Sequence, residues 1–292
     1  MSAASVGLSL LLPAGSALPA GERHQVPTGD GTRLHAIVAG AGRPLVLTHG
    51  ALLSLEAWAL LWQPLLAAGH QLIAYDLRGH GRSTLGRSGF GVQAYAQDLA
   101  AVLDHFDVRQ GVVVAHSTGG IGALALAVTS PADVAARLAG QVLISTPPQG
   151  IGDSLQNRLL APIVFSGLIH QVLRRRRLGT LFTRTLFGSH PDPDLVEFAR
   201  RLMAGAPRQT TIDAPKAVLR FDFRERLDRV TLPTLVLAGS KDRSVKPEHA
   251  QALADGIPQA RLQRFPGAGH LVVLERAHQI AGAITQFAPS CA

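Results

Sequence analysis

Short, almost wholly apolar runs alternate along this chain with longer stretches in which apolar residues recur every three or four positions, the spacing of one helix face. His24 to Thr28 and Arg33 to Val38 read as strands joined through Gly29-Asp30-Gly31, turn chemistry suited to a hairpin, so the sheet opens antiparallel. Strands at Pro44 to Thr48, Leu72 to Tyr75, Gly111 to Ala115 and Gln141 to Ile144 then alternate with helices near Trp58 to Ala68, Val92 to Phe106 and Gly119 to Thr129. That is the rhythm of βα units, and the nearly all-valine run after Gly111 suits a strand covered on both faces. The rhythm stops after Thr146-Pro147-Pro148 and resumes with strands at Thr234 to Ala238 and Arg261 to Phe265. Helices accompany them at Glu248 to Ala254, opened after Pro247, and at Leu274 to Phe287.

The pattern predicts an α/β fold: a mostly parallel central sheet with helices on both faces, built from residues 23–145 and 228–292. Residues 146–227 read as an inserted, mainly helical cap, and residues 1–22 as an N-terminal tail. The tail carries an apolar run from Val6 to Leu12, but no positive charge precedes that run as it would in a secretory signal. The run is also far below the ~20 residues that span a bilayer. A cytoplasmic protein is the expectation, with secretion left open.

Composition narrows the classes. The 292 residues are 47% hydrophobic and 16% charged, enough apolar material for a large core and too little charge for disorder. The single cysteine, Cys291, rules out an intramolecular disulfide, a cysteine metal cluster and a cysteine–histidine catalytic pair. The formal charge of +8 is almost wholly arginine, without the interleaved stacking aromatics of a nucleic-acid surface, so nucleic-acid binding is not expected. The histidines show no metal-ligand spacing.

Against this background, Val112-Val113-Val114-Ala115-His116-Ser117-Thr118-Gly119-Gly120 places a serine at a sharp strand-to-helix turn flanked by small residues. It resembles the nucleophile elbow of the α/β-hydrolase family, whose pattern is Gly-x-Ser-x-Gly, with Ala115 in place of the first glycine. Alone, it could equally be an ordinary βα turn. Three further segments carry the resemblance. Leu47-Thr48-His49-Gly50-Ala51 ends an early strand with a His-Gly pair; Asp76-Leu77-Arg78-Gly79-His80-Gly81-Arg82-Ser83 is similar to the family's Asp-x-Arg-Gly-x-Gly-x-Ser loop. Finally, Ala238-Gly239-Ser240-Lys241-Asp242 and Phe265-Pro266-Gly267-Ala268-Gly269-His270 run from strands into an acid and a histidine.

A serine hydroxyl needs an imidazole to take its proton, and the imidazole needs a carboxylate to hold its tautomer. Ser117, His270 and Asp242 supply those types, in the chain order Ser, Asp, His, each at the C-terminal end of a predicted strand. The resemblance implies backbone N–H donors at Ala51 and Thr118 for an oxyanion, and acyl-enzyme chemistry that requires no cofactor or metal. His49 and the Asp76 loop are expected to support the fold, with Asp76 and Arg78 fixing the loop by charge-assisted hydrogen bonds. His116 either lines the pocket or packs beside the elbow.

The expected activity is therefore hydrolysis of a hydrophobic ester, in the manner of an esterase or lipase. Thioester, lactone or carbon–carbon cleavage and perhydrolysis use the same triad in this family, and a non-catalytic ligand-binding receptor on the same fold is the alternative of another class. A serine at the elbow speaks against the aspartate-based epoxide hydrolases and dehalogenases. In the cap, Pro162 to Leu173 is strongly apolar and Arg174 to Arg177 follow. This reads as a cap helix covering the cleft with its arginines in water, or as a face for weak interfacial contact with an anionic membrane. Oligomeric state is not readable from the sequence.

Overall fold

The computed structural model describes residues 19–150, 162 and 166–291. The apolar run of the N-terminal tail, and part of the expected cap from Ile151 onward, lie outside the described residues. Strands β1 (Glu22–Pro27), β2 (Arg33–Ala39) and β3 (Arg43–Thr48) are followed by a 3-10 turn at Leu55–Trp58 and helix α1 (Ala59–Ala67). Strand β4 (His70–Tyr75), helix α2 (Val92–His105), strand β5 (Gly111–His116), helices α3 (Thr118–Thr129) and α4 (Pro131–Arg137), and strand β6 (Leu138–Ile144) come next. Helices α5 (Leu168–Arg174), α6 (Arg176–Arg184), α7 (Pro193–Gly205) and α8 (Arg208–Ala217) separate β6 from strand β7 (Thr234–Gly239). Helix α9 (Pro247–Gly256), strand β8 (Ala260–Phe265) and helices α10 (Val272–Glu275) and α11 (Ala277–Phe287) close the chain.

The eight strands form one sheet in the order β1-β2-β4-β3-β5-β6-β7-β8. β1 and β2 run antiparallel to their neighbours, and every pairing from β4 to β8 is parallel. Alternate residues supply two apolar layers. Leu45, Leu47, Val112 and Val114 face one layer with α1 and α11, while Val46, Val113 and Ala115 face the other with α2, α3 and α9. Both faces of the central strands are therefore dry, which explains their continuous apolar runs.

The register aligns the strand ends. Thr48 pairs with Tyr75 and with Ala115, His116 with Ile144, Ile144 with Leu237, and Gly239 with Phe265. The loops that follow β3, β4, β5, β7 and β8 consequently leave the sheet along one edge. The ladder even continues past the strands, because the Ser117 N–H donates to the Ile144 carbonyl at 2.9 Å and the Ser145 N–H to that of Leu237 at 2.8 Å.

Boundaries follow local chemistry. α7 starts behind Asp192, whose carboxylate accepts the Asp194 N–H at 2.8 Å, with Pro193 in the first turn. The closing helix expected over Leu274 to Phe287 is interrupted at Arg276 (φ −130). α4 was absent from the pattern, since its seven residues bury only Val134 and have no apolar stripe to read. The arginine run does not trail a single cap helix. It sits at the joint between α5 and α6, where Arg175 (φ −85, ψ 108) is extended.

The loop after β4 is held by buried charge. Asp76 and Arg78 both fix it, but they do not bond each other. Asp76 accepts the N–H groups of Leu55 (2.8 Å) and Arg82 (2.9 Å). Arg78 grips Asp98 of α2 with two bonds of 2.7 Å and reaches Asp30 of the β1–β2 turn at 2.9 Å. The Arg78 and Asp98 side chains are almost wholly buried, so removing Asp98 leaves Arg78 with Asp30 as its single carboxylate and two of its N–H donors unpaired in low dielectric. Asp98→Ala is expected to destabilise the fold by about 3–5 kcal/mol, and the double change Arg78→Met, Asp98→Leu much less. Urea denaturation of both proteins measures the difference.

Candidate active site

The elbow is built by steric exclusion. Ser117 adopts φ 50 and ψ −112, a strained conformation for any residue with a side chain. Helix α3 then packs so closely on the end of β3 that a Cβ on Gly119 would lie 2.6 Å from the Thr48 hydroxyl and 2.8 Å from the His49 carbonyl. On the other side, a Cβ on Gly50 would lie 2.7 Å from Nδ1 of His116 and 3.1 Å from Cβ of Ser117. Only glycine fits at either place, and the result is a half-buried serine hydroxyl standing off the sheet edge.

The structure brings Ser117, His270 and Asp242 together. Nε2 of His270 lies 3.1 Å from Oγ of Ser117, and Nδ1 lies 2.8 Å from Oδ2 of Asp242. A carboxylate can only accept, so Nδ1 carries the hydrogen and the Nε2 lone pair faces the serine hydroxyl. Oδ1 of Asp242 is itself held by the N–H groups of Ser244 and Val245, both at 2.9 Å. The Asp242 and His270 loops are laced together: Lys241 N–H to Ala268 O at 2.8 Å, and Gly267 N–H to the Ser240 hydroxyl at 2.9 Å.

Thr118 is the first residue of α3, and Ala51 follows Gly50 on the loop beside Ser117. Neither backbone N–H has an acceptor among the described residues, and the N-terminal end of the twelve-residue α3 adds its dipole at this point. An arrangement of this kind can deliver a serine oxygen to a carbonyl carbon and receive the negative charge that develops on the carbonyl oxygen.

Three buried histidines surround the site as neutral supports. His49 accepts the Leu77 N–H at Nε2 (3.0 Å), and its Nδ1–H donates to the Gly50 carbonyl (2.8 Å), which uses both nitrogens of an uncharged ring. Burial, then the nearby His80, push it well below the usual histidine range, so its 3.8 Å approach to Asp76 is not an ion pair. His80 is pushed down to about 4 by burial. His116 packs beside the elbow: its Nε2–H donates to the backbone carbonyl of His270 at 3.1 Å, and burial followed by the His270 charge pushes it down to about 3.

Two supports had no sequence signature. One is the His116 to His270 bond, which joins residues far apart in the chain. The other is Glu275, whose carboxylate accepts the N–H of Gly269 (2.7 Å) and of Gly188 (2.9 Å) and so ties the His270 loop to the helical insertion. A glutamate in the first turn after the histidine is the only clue, and it is weak. Among the described residues no three His, Cys, Asp or Glu side chains gather as a metal site. No single described helix is long and apolar enough to cross a membrane.

Comparison with known proteins agrees with this geometry. The family described as alpha/beta hydrolase fold matches residues 43–277. The chain belongs to that family. A non-heme haloperoxidase of Rhodococcus erythropolis is 32% identical over 84% of this chain and 92% of its own length. A bifunctional esterase/perhydrolase of Acinetobacter calcoaceticus is 30% identical, covering 76% of this chain and 83% of its own. Among solved structures, a thermophilic esterase of Thermogutta terrifontis superposes with a TM-score of 0.78 at 26% identity, over 93% and 99% of the two chains.

The neutral histidines of this alpha/beta hydrolase make its stability depend on pH. His80 and His116 have folded values below the ordinary ~6.5, so each takes up a proton on unfolding as pH falls below about 6.5, and stability is lost in that direction. Asp76, pushed up to about 6 by burial, acts oppositely, since the folded state alone holds its proton between about pH 6 and 4. The two histidines outweigh Asp76 and His49 adds to their side, while Glu56, Asp98 and Glu275, raised by burial, offset part of the loss. Stability should fall by roughly 2–3 kcal/mol between pH 7.5 and 5. Urea unfolding across that range is the measurement; a flat or rising profile contradicts the assignment.

Proposed function

We propose that this alpha/beta hydrolase cleaves esters of hydrophobic acids or alcohols through an acyl-enzyme, with Ser117 as nucleophile, His270 as general base and then general acid, and Asp242 holding the imidazole. The observation that carries the reading is the unbroken relay from Oγ of Ser117 through His270 to Asp242. As Ser117 attacks, its proton passes to Nε2 and the oxyanion is received by the N–H groups of Ala51 and Thr118. The proton returns to the departing alcohol. Water, deprotonated at Nε2, then attacks the acyl carbon and restores the serine.

A hydrophobic substrate is in keeping with the apolar residues that adjoin the site along the chain: Leu52 and Leu53 follow Ala51, and Leu271 and Val272 follow His270, all within one buried layer. A fluorophosphonate probe is expected to label the protein but not Ser117→Ala. The same change should lower kcat by at least about 10³-fold, the scale of losing a triad member. Absence of labelling in the folded protein would remove the reading.

Perhydrolysis is the second reading, and the haloperoxidase and esterase/perhydrolase relatives favour it. Hydrogen peroxide would replace water at the acyl-enzyme, and its oxygen would displace the serine to release a peracid. Supplying an acyl ester with peroxide and measuring peracid against free acid separates the two. Peracid formed at a rate comparable to hydrolysis, and absent in Ser117→Ala, supports perhydrolysis; free acid alone excludes it.

A further inference from the structure

Helices α5 and α6 present a surface that the proposed chemistry does not use. Leu168, Leu178 and Leu181 stand 48%, 46% and 67% exposed, although each is a large apolar side chain. Leu178 and Leu181 share one arc of α6 with Arg177 and Arg184, while Gly179 and Thr183 on the opposite arc are buried. Arg174 and Arg175, at the joint between the helices, are exposed beside them.

Charge on this face is uncompensated. Glu197 is held by Arg200 through two bonds of 2.8 Å, and Arg176 approaches it at 3.9 Å. Among the described residues no carboxylate lies within ion-pair distance of Arg174, Arg175, Arg177 or Arg184. Arg174 also lines an open cavity of ≈ 300 Å³ with Arg200, Arg201, Ala204 and Gly205; the Arg200 guanidinium is taken up by Glu197 and the Leu173 carbonyl, so Arg174 and Arg201 are the cations there that can meet a phosphate group.

We propose that this face docks on an anionic lipid bilayer. Leu168, Leu178 and Leu181 enter the boundary of the acyl chains, and the arginines at Arg174, Arg175, Arg177 and Arg184 meet lipid phosphates. Isolated leucines on a helical corner, ringed by arginines, match the composition of interfacial helices. A protein partner would be expected to meet a broader patch with aromatic anchors, and among the described residues no large aromatic side chain is exposed beside these leucines.

Flotation of the full chain with vesicles tests this, and it needs no turnover. Binding to vesicles of equal phosphatidylglycerol and phosphatidylcholine should be at least ten-fold tighter than to phosphatidylcholine alone. Replacing Arg174, Arg175 and Arg177 together by Gln should weaken it about 100-fold, near five-fold per charge. Leu181→Asp should weaken it at least ten-fold. Both variants should turn over a water-soluble short-chain ester, if the parent does, at the parent's rate, and should keep its circular dichroism spectrum. Equal binding to both vesicles, or binding to neither, overturns the proposal. It is also overturned if the arginine variant is released while Leu181→Asp binds like the parent, the result a soluble polyanion site would give.

Discussion

The strained turn at Ser117 is the constraint on which the rest of the site depends. A residue with a side chain at φ 50 and ψ −112 costs about 1–3 kcal/mol and persists only where its surroundings over-determine it. Here they do. The Ser117 N–H is bonded to Ile144, the Gly119 N–H to the His49 carbonyl, and the Ile121 N–H to the Ser117 carbonyl, so strand, neighbouring loop and helix each fix one side of the turn. With the turn in place, the hydroxyl projects from the edge, the unbonded Thr118 N–H opens α3 beside it, and the His49-Gly50-Ala51 loop lies against the turn. None of these placements is independent of the others.

Around that turn the protein excludes stray charge. His49, His80 and His116 are buried and held neutral, while the buried Arg78 is paired by short bonds with Asp98 and Asp30, and the buried Asp242 is held by His270 and two backbone N–H groups. In the proposed chemistry the imidazolium of His270 and the oxyanion are the charges that come and go. A cation at His116, whose ring lies 5.2 Å from that of His270, would oppose the first of them. The neutrality of the supporting histidines is thus as much part of the site as the relay itself.

Much of this was legible from residue order. The valine run of β5, the Gly-rich elbow, and the strands ending in Asp242 and His270 are local signals, and each reports where a strand stops and what stands at its end. What was not legible is what needs three dimensions. Arg78 pairs with Asp98 and Asp30, not with Asp76, because α2 and the β1–β2 turn converge there. Glu275 braces two glycine amides that lie far apart in the chain. The arginine run marks a helix joint, a choice that neither apolar spacing nor helix propensity encodes.

The helical insertion is bonded at both ends of the site. Thr210 of α8 donates its hydroxyl to the Gly79 carbonyl on the loop after β4. Beyond α6, the Ser189 N–H donates to the Gly267 carbonyl, and the Leu271 N–H to that of Leu186. These bonds join the insertion directly to the loop that carries His270 and to the loop after β4.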